Sequence, residues 1–246
     1  MKFPQKKIKH PFLLAVSLIL LSACFFCAWY LTDYYHADQN AIAAFSENCS
    51  ATVQSPDDRT TVYIPENPSV GLIFYPGGKV EPEAYEPLLR SCAQEGILCV
   101  LVEMPFHLAV LDINAAQDIP EQFPEIQSWY LGGHSLGGSM ACAYLEDHHT
   151  EYDGVVLLGS YSTADLSGTQ LEALSIYGSE DLVLNRNNYE KNRSNLPKNF
   201  SELVLDGGCH AYFGVYGPQN GDGTPTLSNK EQISLTAQAI SQFILN

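Results

Sequence analysis

The sequence predicts an α/β protein with a doubly wound, mostly parallel sheet behind an N-terminal transmembrane helix. Short apolar runs of strand length alternate with helical stretches along most of the chain. Most of these runs show no polar alternation, which is typical of parallel strands that helices cover on both faces. A long uncharged segment precedes the first of them and has the length of a membrane-spanning helix.

Composition is consistent with one soluble domain of ordinary core size. The chain of 246 residues is 46% apolar and 16% charged. Four of its 12 basic residues lie in the first ten positions, so residues 11–246 contain 8 basic and 28 acidic residues. A surface this acidic repels phosphate backbones, so we expect no nucleic-acid partner.

The N-terminal segment is predicted to be a signal anchor. Residues 1–10 form a basic flank, and residues 11–31 carry no charge over a length that can cross a bilayer. A basic flank stays on the cytoplasmic side, so the rest of the chain is expected to be extracytoplasmic. Residues 21–24, Leu-Ser-Ala-Cys, also resemble a bacterial lipobox with Cys24 as the lipidated residue. A cleaved secretory signal is a third alternative.

Polar residues 32–60 are predicted to form a stalk with one helix around residues 40–49, and residues 61–246 the folded domain. Seven apolar runs predict strands: Thr61–Ile64, Val70–Tyr75, Ile97–Val102, Trp129–Leu131, Val155–Leu158, Leu174–Tyr177 and Leu203–Leu205. Amphipathic stretches predict helices at Pro82–Glu95, which starts with proline and stops at a glycine, at Leu136–Asp147 and at Glu231–Leu245.

Five cysteines follow the apolar segment, at positions 49, 92, 99, 142 and 209. An odd number leaves at least one thiol without a partner in the chain. Their spacing fits no zinc site, so we interpret them as small buried hydrophobic residues. The sequence implies no metal ion and no organic cofactor, and it assigns no oligomeric state.

The strongest chemical signal is residues 133–137, Gly-His-Ser-Leu-Gly. By composition alone a G-x-S-x-G pentapeptide is a weak motif. This one follows a predicted strand and precedes a predicted helix, which is the strand, turn and helix that a nucleophile elbow requires. The turn leaves no room for Cβ atoms two residues to either side of Ser135, which explains both glycines. We therefore predict Ser135 as a nucleophile.

A serine nucleophile needs a base and an acid, and both residue types follow later strands. Asp181 ends the segment Tyr-Gly-Ser-Glu-Asp after one predicted strand, and His210 ends Asp-Gly-Gly-Cys-His after the next. Ser135, Asp181 and His210 stand in the chain order expected of a strand-turn-helix nucleophile. Glu180 and Asp206 are competing carboxylates. Asp181 is preferred because the turn at Gly178 gives it the reach to fold back towards the histidine.

These motifs, with Phe74–Val80 and the segment Gly208–Gly214, resemble the α/β-hydrolase superfamily over about residues 60–246, and more narrowly a group of small bacterial α/β-hydrolase fold domains. The resemblance implies a Ser-Asp-His triad, ester-like substrates and an oxyanion loop after the strand Val70–Tyr75. The expected oxyanion donors are the backbone N–H groups of Leu136 and Gly78, with Lys79 as the alternative to Gly78.

Side chains after other strand ends could line the pocket: Lys79, Glu103, Phe106 and His107. Only a short interval separates the strands at residues 155–158 and 174–177, so no large cap domain is expected. The sequence thus predicts a membrane-anchored extracytoplasmic serine hydrolase of small acyl esters. Thioesterase, peptidase and envelope deacylase activities are alternatives within the class. A catalytically silent binding module is the alternative outside it.

Overall fold

The computed structural model describes residues 11–46 and 51–246, so the predicted basic flank at residues 1–10 lies outside the described residues. The chain divides into two compact units, one that ends at Tyr34 and one that comprises Tyr35–Asn246. In the first unit, helix α1 (Pro11–Thr32) has no buried residue from Phe12 onwards and is long and apolar enough to cross a membrane. Such a helix near the N-terminus could be a membrane anchor or a signal sequence.

The second unit is built on one eight-stranded sheet. The strands are β1 (Thr52–Asp57), β2 (Thr60–Ile64), β3 (Val70–Tyr75), β4 (Ile97–Val102), β5 (Ser128–His134), β6 (Gly154–Leu158), β7 (Glu172–Gly178) and β8 (Asn199–Leu205). Their order in the sheet is β1-β2-β4-β3-β5-β6-β7-β8. β2 is antiparallel to both of its neighbours, and all other neighbouring strands are parallel. This mostly parallel sheet confirms the predicted fold class.

Helices cover both faces of the sheet. They are α2 (Gln39–Ser46), α3 (Glu86–Gln94), α4 (Leu136–His148), α5 (Arg186–Asn192) and α6 (Asn229–Leu245). One apolar cluster joins Leu88 of α3 and Ile240 of α6 to Phe74 of β3, and a second joins Leu145 of α4 to Leu131 of β5. Every residue of β3, β4 and β6 is buried for this reason.

The connections place the chemistry at one edge of the sheet. Because β3, β5, β6, β7 and β8 are parallel, the loops that follow them all lie at their carboxyl edge. Residues 159–171, between β6 and β7, contain no helix or strand, as expected of a domain without a large cap. α6 starts with a capping box: the Ser228 hydroxyl accepts the N–H of Glu231, and the Glu231 carboxylate accepts the N–H of Ser228. This pair of bonds fixes where the last helix leaves this edge.

The segment predicted as a stalk, residues 32–60, differs from that expectation. The compact unit begins at Tyr35, and β1 extends the sheet as an edge strand. Ile42 of α2 is buried in the apolar cluster that contains Leu88. Every residue of β1 is exposed, so the strand has no apolar face that the sequence could reveal.

The described cysteines of this unit are all buried and unpaired: Cys92, Cys99, Cys142 and Cys209. They pack as small apolar residues, as expected. Burial raises the pKa of the Cys142 thiol to about 12, so this thiol is not a nucleophile near neutral pH. Cys49 lies outside the described residues.

Candidate active site

Ser135 occupies the sharp turn between β5 and α4. Its backbone has φ 52° and ψ −120°, a conformation that a non-glycine residue holds only when its surroundings impose it. Ser135 donates its N–H to the carbonyl of Leu158 at 2.9 Å, and the Ser160 hydroxyl donates to the carbonyl of Ser135 at 2.7 Å. Ser135 thus stays partly exposed at the N-terminus of α4, where the helix dipole favours negative charge.

The glycines of the turn are there because the backbone around Ser135 is close-packed. A Cβ at Gly133 would lie 2.6 Å from the carbonyl carbon of Gly137. A Cβ at Gly137 would collide with the carbonyl oxygens of Tyr75 and Pro76. The elbow therefore packs directly against the end of β3, which explains both glycines of the motif.

Asp181 and His210 form a buried hydrogen-bonded pair. His210 Nδ1 lies 2.9 Å from Asp181 Oδ2, and each residue is 1% exposed. The other carboxylate oxygen, Oδ1, accepts the N–H groups of Val183 at 3.0 Å and Leu184 at 2.8 Å. These bonds satisfy the carboxylate and fix its orientation towards the imidazole.

The second ring nitrogen of His210 is set up to accept a proton. Donation from Nδ1 to Asp181 leaves the lone pair on Nε2, and Nε2 is buried with no hydrogen-bond partner among the described residues. Ser135 and His210 line the same pocket. General-base activation of a hydroxyl needs a buried, oriented imidazole that opens on the same pocket as the serine.

That pocket has a volume of about 250 Å³. Its lining comes from the elbow, from the first turn of α4 and from the loops after β6, β7 and β8: Ser135, Leu136, Ser139, Gly159, Ser160, Tyr161, Val183, Leu184, Asn185 and His210. The four side chains expected to line the site, Lys79, Glu103, Phe106 and His107, are not among these residues. Glu103 instead borders a separate pocket that contains Asp57 and Arg59.

The two expected oxyanion donors in the loop after β3, the N–H groups of Gly78 and Lys79, differ in whether they already donate a hydrogen bond. Lys79 donates its N–H to the carbonyl of His107 at 2.7 Å, and Gly77 donates its N–H to the Tyr85 hydroxyl at 3.0 Å. No hydrogen bond engages the N–H of Gly78 among the described residues. A Cβ at Gly78 would lie 3.0 Å from Leu136 Cδ2, so Gly78 and Leu136 are direct neighbours. The geometry thus favours Gly78 over Lys79.

His134 packs against the ring of His210, and its own ring bonds to Tyr85 and not to Asp181. Its ring centroid is 4.4 Å from that of His210, and its Nδ1 is 2.8 Å from the Tyr85 hydroxyl. Burial, followed by the proximity of His210, holds the pKa of His134 well below its ordinary value. A histidine that stays neutral can pack against His210 without opposing a positive charge on it.

Comparison with known proteins identifies the family. The sequence profile described as "Alpha/beta hydrolase family" matches residues 71–234, more than half of the chain. The chain belongs to the alpha/beta hydrolase family. A search of curated protein sequences finds no significant match.

Solved structures of the family share the fold at low sequence identity. Dienelactone hydrolase from Anabaena variabilis is 15% identical with a TM-score of 0.56, over 80% of this chain and 97% of that one. Est1E from Butyrivibrio proteoclasticus is 14% identical with a TM-score of 0.56, over 79% and 97% of the two chains. A structure reported with the metagenome-derived lipolytic enzymes LipS and LipT is 13% identical with a TM-score of 0.56, over 76% and 98%. Family and fold together support a hydrolase.

Three residues at the site are not predicted from the sequence as functional candidates. Gly159 follows β6 with φ 51°, and a Cβ there would lie 2.9 Å from His210 Nδ1. Gln232 of α6 accepts the N–H of Cys209 at 2.9 Å and donates to its carbonyl at 2.7 Å, which fixes the residue before His210. Asp222 belongs to a Gly-Asp-Gly turn, whose composition indicates only a turn.

The Asp222 carboxylate links the two loops that carry Asp181 and His210. Its Oδ2 accepts the N–H of Ala211 at 2.8 Å, and its Oδ1 accepts those of Gly223 at 2.9 Å and Leu182 at 3.4 Å. Leu182 follows Asp181 and Ala211 follows His210, so one side chain sets the separation of the two loops.

We expect Asp222→Asn to lower the turnover of an ester substrate by about tenfold, because its amide would point an N–H at a backbone N–H and displace one loop. Turnover per titrated active site is the measurement, and Asp147→Asn, on an exposed residue of α4, is the matched control. In an Asp181→Asn background the same change should have little further effect, because both act through His210. Full additivity of the two effects would contradict this role.

Proposed function

We propose that this chain is a membrane-anchored, extracytoplasmic serine hydrolase that cleaves ester-type acyl substrates through Ser135, Asp181 and His210. The observation that carries the proposal is the buried hydrogen bond of 2.9 Å between His210 Nδ1 and Asp181 Oδ2. The other ring nitrogen, His210 Nε2, has no hydrogen-bond partner among the described residues, and His210 lines the same pocket as Ser135. The Ser135 elbow supplies the nucleophile position that this pair would serve.

The mechanism proposed is acyl transfer to water. His210 Nε2 takes the proton of the Ser135 hydroxyl as Oγ bonds to the substrate carbonyl carbon. The N–H groups of Gly78 and Leu136 bind the resulting oxyanion. Collapse breaks the bond to the leaving alcohol, which receives the proton from His210 and departs. Water then attacks the acyl-enzyme by the same route and releases the acid and Ser135.

The small pocket supports a preference for short acyl groups. A volume of about 250 Å³ lies below the range of drug-sized sites. Hydrolysis of a series of p-nitrophenyl esters by the full chain tests this: kcat/KM should be highest for short acyl chains, and Ser135→Ala should reduce turnover by about 10³-fold or more. A protein that binds these esters but hydrolyses none of them would be a silent binding module instead.

The apolar helix α1 supports an uncleaved anchor. We expect the full-length protein to need detergent for extraction and to be cut by protease added outside intact expressing cells. Incorporation of radioactive palmitate that Cys24→Ser abolishes would establish the lipoprotein alternative. A mature N-terminus after residue 31, found by sequencing, would establish a cleaved signal.

A further inference from the structure

A tyrosine and a histidine that the proposed mechanism does not use form a buried hydrogen bond beside the candidate active site. Tyr85, directly before α3, and His134, the last residue of β5, are 0% and 1% exposed. The Tyr85 hydroxyl lies 2.8 Å from His134 Nδ1 and accepts the N–H of Gly77 at 3.0 Å. We call Tyr85 and His134 the Tyr–His bridge. It joins the loop after β3 to the residue that precedes Ser135.

One end of the Tyr–His bridge holds the loop of the expected oxyanion donor. Gly77 and Gly78 share a peptide unit, so the placement of Gly77 sets the direction of the Gly78 N–H. The carbonyl of Gly77 accepts the N–H of Val80 at 3.3 Å, and its N–H donates to Tyr85. A Cβ at Gly77 would lie 2.6 Å from Tyr85 Oη and 2.7 Å from His134 Nδ1. The loop therefore packs directly on the bridge, and without the Tyr85 hydroxyl the buried Gly77 N–H would lose its acceptor.

The other end of the Tyr–His bridge contacts the expected base. The ring centroid of His134 lies 4.4 Å from that of His210 and 5.5 Å from that of Phe213. The hydrogen bond to Asp181 holds one nitrogen of the His210 ring but leaves the ring free to rotate about that bond. Contact with the His134 ring restricts this rotation, so the position of His134 affects where His210 Nε2 points.

The hydrogen bond of the Tyr–His bridge has a defined direction. The Tyr85 oxygen accepts the N–H of Gly77, and its own hydrogen has an acceptor only in His134 Nδ1 among the described residues. Burial raises the pKa of the Tyr85 phenol and holds the pKa of His134 well below its ordinary value. Both groups therefore stay neutral near pH 7, and the bond keeps one direction.

We propose that Tyr85 and His134 are positioning residues for the two groups that act on the substrate carbonyl and on the serine proton. Together they hold the oxyanion donor Gly78 and the base His210 in fixed positions relative to the elbow. Neither Tyr85 nor His134 lines the pocket of about 250 Å³, so each acts through a neighbour. The inference deepens the proposed function and rests on it. Because both groups act in the transition state, loss of the bridge should lower kcat more than it changes KM.

Kinetics of a short-chain p-nitrophenyl ester with the full chain test this role. Tyr85→Phe should lower kcat by about tenfold and change KM by less than about twofold. The matched control is Tyr189→Phe, because Tyr189 is 2% exposed and its hydroxyl also makes two bonds, to Ser175 at 3.0 Å and to Glu202 at 2.6 Å. This variant should lose stability and keep kcat within about twofold of the wild type. An unchanged kcat in Tyr85→Phe would overturn the proposal.

Two substitutions of His134 separate positioning from core packing. Asparagine places an oxygen close to the position of Nδ1 and can accept the Tyr85 hydrogen, whereas leucine fills the space without an acceptor. We expect His134→Asn to keep kcat within about threefold of the wild type and His134→Leu to lower it by about tenfold. The double variant Tyr85→Phe with His134→Leu should be no more than about twofold slower than the slower single variant, because both lose the same bond. The reverse ranking of asparagine and leucine, or full additivity, would contradict the bridge.

Ring-nitrogen NMR of the full chain, labelled with ¹⁵N-histidine in detergent micelles, tests the bridge without reference to activity. Spectra of His134→Asn and His210→Asn identify the two signals. Tyr85→Phe should shift the signals of both histidines, and Tyr189→Phe should shift neither. A shift confined to His134 would overturn the link to His210. A wild type that hydrolyses no ester would contradict the proposed hydrolase, and the spectra would then decide the bridge.

Discussion

Asp181→Asn is expected to leave the fold intact and to lower ester turnover by about 10³ to 10⁴-fold. The asparagine carbonyl can still accept the N–H groups of Val183 and Leu184, so the loop should keep its path. Its amide would replace Oδ2 and donate to His210 Nδ1. That bond places the imidazole proton on Nε2, where it blocks acceptance of the serine proton.

The comparison variant is Asp206→Asn, which should change turnover by less than about tenfold, or roughly 1.4 kcal/mol. Asp206 is exposed, whereas Asp181 is 1% exposed and bonded to His210. Turnover of one ester by both variants, with thermal unfolding as a check on folding, is the measurement. The reverse ranking would assign the acid to Asp206.

Gly159→Ala is expected to lower turnover by about 10²-fold, because the added methyl group enters the space of the Asp181–His210 pair. Its Cβ would lie 3.1 Å from His210 Cε1 and 3.2 Å from Asp181 Oδ2, both buried and unable to move aside freely. The backbone at this position has φ 51°, which adds a strain of about 1 kcal/mol for alanine.

Gly168→Ala is the matched control, since a Cβ there meets no atom within 4 Å and the residue lies in the same β6–β7 connection. Turnover per active site and the unfolding temperature of both variants are measured together. Wild-type turnover of Gly159→Ala would contradict this account, because it would show that the close contact between residue 159 and His210 does not affect the position of the imidazole.

The turn at Ser135 and the positions of Asp181 and His210 at the ends of strands could be predicted because both have local sequence signatures. Gly133 and Gly137 are required by contacts within a few residues of Ser135 and with the end of the adjacent strand, so the motif itself carries the information. Asp181 and His210 each follow an apolar run, and parallel strands bring their carboxyl ends together whatever the loops do.

The pocket lining could not be anticipated from the same signals. Tyr161, Leu184 and Asn185 belong to loops after β6 and β7 that have no periodicity, and their paths are set by tertiary hydrogen bonds such as those on Asp181. Phe106 and His107 follow β4 as expected, but their left-handed backbones leave Phe106 exposed outside that pocket. Such a conformation has no signature in non-glycine residues.

Strand β1, at the edge of the sheet, could not be predicted from the sequence either. β1 has six exposed residues and so lacks the alternation by which a half-buried strand is recognised. Its place in the sheet comes from backbone pairing with β2, which any sequence of suitable length can make. The same holds for Tyr35, whose bonds to Lys79 and Glu81 are made by backbone atoms.

Labelling of the full chain by a fluorophosphonate probe tests most directly whether Ser135 is an activated nucleophile. We predict one probe molecule per chain, found by mass spectrometry on the peptide that contains Ser135, and no labelling of Ser135→Ala. Asp181→Asn should label much more slowly than Asp206→Asn. A folded protein that takes up no probe, or takes it up equally after Ser135→Ala, would contradict the proposed serine hydrolase.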